Sequence, residues 1–353
     1  MTAQAASLAD ARPETQVPLE AKVRFLSDAA AYPGLRAPVA AHETHMSWIF
    51  LAGQRAYKLK KPVRLPYLDF STLALREAAC RAELRLNRRL ARDVYLGVEP
   101  LMRGPGGLSI GGDGETVDWL VVMRRLDEAD VLETRLKNHV RPAELDRLAA
   151  TLARFYRHAS PTWISPAAHL RGWELALAYD RRILLDPRLG LPRGQVRWID
   201  AVLRRFLKAE GGRLIERVRR RRIVDAHGDL RPEHVWMNAT IRIIDCLEFS
   251  PILRANDPLE EIAFLDLECE RLGAPAAGRR LRERVLFALG ERVDDPLYAF
   301  YRCHRAMLRA RLAIAHRLEA HPRTPEKWPR LARAYLDFAQ ADALKLARRL
   351  TRP

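Results

Sequence analysis

Ile223-Val224-Asp225-Ala226-His227-Gly228-Asp229-Leu230-Arg231-Pro232-Glu233-His234-Val235, followed by Ile241-Arg242-Ile243-Ile244-Asp245, is the stretch whose reading decides the fold. Two apolar runs each deliver one carboxylate. A short β-rich run, a loop punctuated by glycine and proline, a second strand, a turn at Asn238-Ala239-Thr240 and a third strand ending in Asp predict that Asp229 and Asp245 come close together. Such a layout suits phosphoryl transfer. That chemistry needs a group that points the attacking hydroxyl, cations that hold the phosphates, and carboxylates that hold the cations. Asp229 is the candidate for orienting and deprotonating the hydroxyl. Asp245 is the candidate magnesium ligand, because Mg2+ prefers hard oxygen donors.

His227-Gly228-Asp229-Leu230-Arg231-Pro232-Glu233-His234 resembles the catalytic loop His-Arg-Asp-x-x-x-x-Asn of the protein-kinase fold. The glycine after the histidine is the version found in aminoglycoside phosphotransferases and related small-molecule kinases. Ile244-Asp245 matches the metal-binding aspartate of that superfamily. The resemblance implies an α+β, protein-kinase-like two-lobed fold, with a small β-rich N-lobe and a larger helical C-lobe. It also implies ATP as phosphate donor and Mg2+ as its metal, with Mn2+ as the alternative. One position departs from the pattern. His234 stands where the family usually has a metal-binding Asn; an imidazole nitrogen can ligate a divalent ion but suits magnesium less well than oxygen does. His234 is therefore the candidate second ligand, and Arg231 the candidate stabiliser of charge on the transferring phosphoryl group.

Composition bounds the remaining possibilities. A chain of 353 residues with 48% hydrophobic and 30% charged residues is long enough for two lobes and ordinary for a soluble protein. The longest apolar runs, such as Trp119 to Met123, fall well short of the roughly 20 residues of a membrane span. Residues 1–19 lack the basic start and apolar run of a secretory signal, so the expected compartment is the cytoplasm. Cys80, Cys246, Cys269 and Cys303 stand far apart without a Cys-x-x-Cys pair and are expected to be buried thiols. The 61 basic and 44 acidic residues give +17. Arg217 and Arg219 to Arg222 lack interleaved aromatics for stacking on bases, so a solvated helix end is preferred there to a nucleic-acid patch. Residues 245–270, by contrast, carry eight acids against Arg254 alone, a local −7.

Along the chain, residues up to about Pro18 are polar and alanine-rich and expected to be mobile. A helix is expected over Leu19 to Ala31, making residues 1–39 an N-terminal extension, with an N-lobe over 40–125 and a C-lobe over 126–353. Trp48 to Ala52 and Ala56 to Lys60 predict a hairpin about Gly53-Gln54-Arg55. Under the resemblance, a strand lysine neutralises the α- and β-phosphates and is held by a helix carboxylate. Lys60 is the first choice and Lys58 the alternative. Glu83 is the expected partner and Glu77 the alternative, on a helix capped by Ser71 or Thr72 with Leu73, Cys80, Leu84 and Leu90 in its apolar stripe.

His42-Glu43-Thr44-His45-Met46-Ser47 occupies the place of a glycine-rich phosphate loop, where the Thr44 or Ser47 hydroxyl is a candidate phosphate contact. Val117 to Met123 reads as a buried strand leading to the hinge, whose backbone, at about Met123, reads adenine under the resemblance. Leu145 to Tyr156 recur at helical spacing as core. Asn256-Asp257-Pro258-Leu259-Glu260-Glu261 resembles a later family motif in which a carboxylate, here Glu261, steadies the catalytic loop. Glu43-Thr44-His45, Lys58 to Pro62 and Leu68 to Leu73 resemble a bacterial subgroup of aminoglycoside-phosphotransferase-like enzymes. No Gly-x-x-x-x-Gly-Lys-Ser/Thr occurs in the sequence. The expected activity is transfer of the ATP γ-phosphate to a hydroxyl of a small molecule. The alternative is a kinase-like nucleotide-binding protein with weak or no turnover, suggested by His234 and the missing glycine loop.

Overall fold

The computed structural model describes residues 17–65, 67–292, 296–318 and 324–351. The expected mobile segment before Pro18 lies almost wholly outside them. Two compact units divide the chain, one running to Arg125 and the other from Leu126, with Arg89–Ala91 belonging to the second.

The first unit is built on a six-stranded antiparallel sheet in the order β1-β2-β3-β8-β6-β7. Its strands are β1 (Ala40–Glu43), β2 (Ser47–Ala52), β3 (Arg55–Lys60), β6 (Tyr95–Gly104), β7 (Gly107–Ile110) and β8 (Glu115–Arg124), and the two-residue strands β4 (Arg64–Leu65) and β5 (Leu68–Asp69) pair separately. The β2–β3 hairpin forms as the sequence predicts, with Ser47 opposite Lys60 and Ala52 opposite Arg55. Helix α1 (Leu19–Leu26) and the turn after it belong to this unit's core: Leu26, Ala31 and Tyr32 pack with Phe50, Tyr57, Leu59, Leu101 and Leu120. Buried Lys22 on α1 also pairs with Asp118 of β8 at 2.6 Å.

Helix α2 (Leu73–Asn87) is capped by Thr72, whose hydroxyl accepts the Leu75 amide. Its buried face differs from the expected apolar stripe. Arg76, Ala79, Cys80, Glu83, Leu86 and Asn87 are the buried residues, because two of the charges there meet partners on the sheet: Arg76 pairs with Asp118, and Glu83 with the β3 lysines. A buried charge is tolerable when it is paired and hydrogen-bonded.

The second unit is helical, with α3 (Leu132–Lys137), α4 (Pro142–His158), α5 (Pro166–Leu184), α6 (Arg193–Arg219), α7 (Pro251–Arg254), α8 (Pro258–Arg271), α9 (Pro275–Ala288), α10 (Pro296–Ala315) and α11 (Lys327–Leu350). Two short ladders interrupt it: β9 (Val224–Asp225) with β12 (Ala255–Asn256), and β10 (Val235–Met237) with β11 (Ile241–Ile243). Its core gathers Leu148, Leu152, Leu203, Phe206, Ile262, Leu265, Phe300 and Leu336.

Helix α8 is the axis of this unit, buried from Pro258 to Cys269. The Asp257 carboxylate caps it by accepting the Leu259 amide at 2.9 Å, and Pro258 opens its first turn. The acids that made residues 245–270 look like an anionic region are for the most part compensated from elsewhere in the chain. Asp257 is held by Arg217 at 2.6 Å, Glu260 by Arg305 at 2.8 Å, Asp266 by Arg302 at 3.1 Å, and Glu270 by Arg302 as well. Arg217 therefore departs from the reading of Arg217 to Arg222 as a solvated helix end: it forms a two-pronged pair with Asp257 and reaches Glu291 at 2.7 Å. All four cysteines are buried free thiols, as expected. Among the described residues no helix is long and apolar enough to cross a membrane.

Candidate active site

In the first unit the candidate residues gather on β3 and α2. Glu83 is fully buried and shared by both lysines, Lys58 Nζ lying 2.9 Å from Oε1 and Lys60 Nζ 2.6 Å from Oε2. Glu77 instead pairs with Arg81 on its own helix. Two residues apart on a strand, Lys58 and Lys60 point to the same side, which is why one carboxylate can take both. Their exposure differs. The Lys60 side chain is 1% exposed, with its ammonium 4.9 Å from the centre of the Phe70 ring, whereas Lys58 is 14% exposed.

Thr44 closes the turn between β1 and β2: its hydroxyl accepts the Ser47 amide at 3.0 Å and donates to the Ser47 carbonyl at 3.0 Å. Ser47 itself is 2% exposed, so a phosphate contact through its hydroxyl does not fit this geometry. Met123, expected to offer open backbone at the hinge, lies inside the sheet, flanked by Ala56 and Tyr95. The next two amides, of Arg124 and Arg125, donate to Val94 and Gln54.

In the second unit the His-Gly-Asp loop is held from several sides. Arg89 donates to the carbonyls of Asp225 at 2.7 Å and Ala226 at 2.8 Å, fixing the chain as it leaves β9. Glu261 of α8 accepts the amides of His227, at 3.1 Å, and Gly228, and also the Tyr156 hydroxyl at 2.9 Å. Gly228 sits at φ 91°, and a Cβ there would lie 2.9 Å from Leu247 Cδ1 and 3.2 Å from the Leu253 carbonyl. Only glycine meets both demands. His227 donates from Nε2 to the Ile244 carbonyl at 2.9 Å and accepts the Asp229 amide on Nδ1 at 3.3 Å, which assigns its neutral tautomer; burial pushes its pKa below the usual value.

Asp229 and Asp245 are brought to either side of His234. A carbonyl can only accept, so the 2.9 Å contact between His234 Nδ1 and the Asp229 carbonyl places the ring proton on Nδ1. Nε2 then faces Asp245 Oδ2 at 3.6 Å and Arg231 Nη2 at 3.4 Å, while Nδ1 lies 3.9 Å from Asp229 Oδ2. The strand β11 ends two residues before Asp245, short of the expected end at the carboxylate. Asp245 adopts φ 63°, and its side chain is 48% exposed.

Arg231 is not an open surface residue: it pairs with Asp229 at 2.8 Å and with Glu233. Burial raises the Asp229 pKa, but the positive charges of Arg231 and Arg309, with His234 beside them, more than offset it and hold the carboxyl below its ordinary 3.8. Sequence reading missed Arg89, Tyr156 and Arg309 as neighbours of the loop. Each looks like an ordinary helix residue, and only the packing gives it a role.

No protein-family model matches the chain. Uncharacterized proteins of Mycobacterium tuberculosis and Mycobacterium bovis are each 31% identical to it over 288 residues, which is 79% of this chain and 55% of theirs. The chain thus spans about half the length of the curated relatives it matches. Among solved structures, a choline/ethanolamine kinase family protein from Mesorhizobium loti superposes with a TM-score of 0.53 at 17% identity, covering 92% of this chain and 93% of that one. A choline kinase from Cryptosporidium parvum gives 0.55 at 10% identity, over 93% and 96%. An aminoglycoside phosphotransferase solved with AMP-PNP and hygromycin B gives 0.52 at 12% identity, over 93% and 98%. The likeness at these identities is one of fold, and it agrees with the resemblance carried by the His-Gly-Asp loop. The chain has the two-lobed, aminoglycoside-phosphotransferase-like version of the protein-kinase fold, shared with the choline and ethanolamine kinases.

Proposed function

We propose that the chain is an ATP-dependent phosphotransferase that moves the γ-phosphate to a hydroxyl of a small molecule. The observation that carries this reading is the convergence of Asp229 and Asp245 on His234, within 3.9 and 3.6 Å, on a loop fixed by Glu261. Asp229 is the group that orients the acceptor hydroxyl and takes its proton. Its depressed pKa keeps it ionised at neutral pH, and positioning rather than strong basicity is what phosphoryl transfer asks of this residue. Arg231 holds the Asp229 carboxylate in one orientation. It also leaves a positive charge beside the path of the transferring group.

The Asp245 carboxylate suits Mg2+, which is commonly held by one or two carboxylates with phosphate oxygens and water. Asp245 would be its main ligand, and His234 Nε2 stands close enough for a second. Among the described residues no three His, Cys, Asp or Glu side chains converge as a complete metal cage, so the shell would be completed by the nucleotide. When bound, the ion supplies charge neutralisation on the β- and γ-phosphates. On the first unit, Lys58 is the better phosphate contact, because Lys60 is the more deeply buried of the two. Lys60 then serves to lock Glu83, which exchanges the roles the sequence suggested.

The acceptor is a neutral or modestly polar hydroxyl compound, since much of the acidity near the loop is compensated by arginines. The test is an ATP- and GTP-consumption screen over sugars, polyols, amino alcohols and aminoglycosides. Asp229→Asn should leave nucleotide binding near that of the parent and lower turnover by roughly two or more orders of magnitude. Turnover equal to the parent's would remove Asp229 from the mechanism. Nucleotide binding without consumption of any acceptor would favour a non-catalytic binding protein.

A further inference from the structure

A concavity of about 790 Å³ lies within the second unit, lined by Arg89, Arg147, Arg154, Phe155, Asp225 and the turn at residues 239–241, among others. Its floor is apolar, contributed by Leu90, Phe155 and Ile241. Its rim is cationic. Arg147 donates to the carbonyls of Ala239 and Asn238 and so keeps its full charge, and the exposed Arg154 guanidinium has no hydrogen-bond or ion-pair partner among the described residues. Arg89 stacks on Phe155, with its guanidinium carbon 5.1 Å from the ring centre. The lining carboxylate, Asp225, is already compensated by Arg254 at 2.6 Å and by Arg89 at 3.4 Å, so the rim's free positive charge is that of Arg147 and Arg154. The groove therefore combines an apolar floor with uncompensated positive charge. Its size falls in the range of small-molecule sites, roughly 300–1,000 Å³.

We propose that this groove binds a small organic anion, a phosphate ester carried on an apolar or aromatic body, with the phosphate held by Arg147 and Arg154 and the body resting on Leu90, Phe155 and Ile241. Guanidinium groups in pairs are suited to phosphate, which they can meet with several charge-assisted hydrogen bonds. A nucleic-acid strand fits less well, because Phe155 is the only Phe, Tyr or Trp among the described residues lining the groove and Arg89 already lies over one of its faces, leaving no row of such rings for successive bases. The location adds a consequence. Arg89 clamps the carbonyls of Asp225 and Ala226 at the start of the His-Gly-Asp loop, and the Asn238–Thr240 turn leads toward Asp245. An occupant bridging Arg154 to Arg89 would tie α4 to the chain that carries both candidate carboxylates.

The test uses the full chain and 1-naphthyl phosphate as probe, titrated calorimetrically in the presence of saturating AMP-PNP and Mg2+, with 1-naphthol and inorganic phosphate as controls. The parent should bind the ester more tightly than either control. The double variant Arg147→Ala/Arg154→Ala should weaken binding by roughly tenfold or more, the scale of a lost charge-assisted contact, while Asp229→Asn binds as the parent does. If removal of the Arg147 contacts to the turn unsettles the fold, Arg154→Ala alone, which breaks no side-chain hydrogen bond or ion pair among the described residues, should still weaken the ester and leave naphthol unchanged. Three results would each overturn the proposal: no ester binding by the parent at millimolar concentration, equal affinity in the parent and Arg154→Ala, or naphthol binding as tightly as the ester.

Discussion

Asp229 is the residue on which the proposed chemistry turns, and its ionisation is set by neighbours that pull in opposite directions. Burial disfavours its charge, and Arg231, His234 and Arg309 favour it more strongly, so the folded-state pKa lies below 3.8. A carboxyl depressed by folding contributes stability that is full above its unfolded pKa and is lost as pH falls through its folded one. Removing Arg231 leaves burial in place, so the Arg231→Ala variant should move the acid limb of the kcat/KM profile to higher pH; an unmoved limb would separate Arg231 from this ionisation. Arg231→Lys, which keeps the charge, should restore part of the shift. Gly228 is the second decisive residue. With φ at 91° and Leu247 2.9 Å from an added Cβ, Gly228→Ala should cost at least about 1–3 kcal/mol, the scale of one strained backbone position. Chemical denaturation would measure it, and an unchanged midpoint would show that the loop adapts.

At the scale of elements, one pairing in each unit holds the candidate residues, β3 with α2 in the first and the His-Gly-Asp loop with α8 in the second. On β3 the two lysines share Glu83 but differ in exposure. Lys58→Met should weaken nucleotide binding with a melting temperature near the parent's. Lys60→Met should chiefly lower stability, by about 1–3 kcal/mol for an under-compensated buried carboxylate. The reverse outcome, read by nucleotide titration and thermal unfolding, would return the phosphate role to Lys60. On α8, Glu261 accepts two loop amides and a tyrosine hydroxyl. Glu261→Ala would leave three buried donors unpaired, and a loss of about 3 kcal/mol or more is expected. A denaturation midpoint within error of the parent's would show that water replaces the carboxylate.

For the whole molecule, net charge bears on which acceptors the proposed reaction would take. The net charge is +17, which repels polycations at long range, although screening over roughly 8 Å at physiological salt leaves the local field to decide. That local field is weakly acidic at most, because Asp257, Glu260, Asp266 and Glu268 are each bound to arginine. Kanamycin-like acceptors should therefore stay below a kcat/KM of about 10⁴ M⁻¹s⁻¹, the lower end of ordinary enzyme performance, with a neutral polyol the better substrate. Kinetics at low and high salt would check this. An aminoglycoside in the ordinary range, with no better neutral acceptor, would contradict it.

The fold and part of the candidate site's geometry were legible in the sequence because they depend on local signals. The β2–β3 hairpin follows from two short strands about a glycine turn, and the His-Gly-Asp loop from residue types at fixed spacing. Glu261 was likewise readable from the Asn256-to-Glu261 motif. Tertiary structure alone decided whatever depends on partners distant in sequence. A row of acids from 245 to 270 reads as an anionic region until Arg217, Arg302 and Arg305 are seen to hold much of it. The buried face of α2 carries Arg76 and Glu83, where hydrophobic periodicity looks for leucine, because Asp118, Lys58 and Lys60 wait on the facing sheet. Burial of Ser47 and Met123 and the unequal exposure of Lys58 and Lys60 are of the same kind. Each is set by which atoms face solvent after packing, and a one-dimensional pattern of residue types does not encode that.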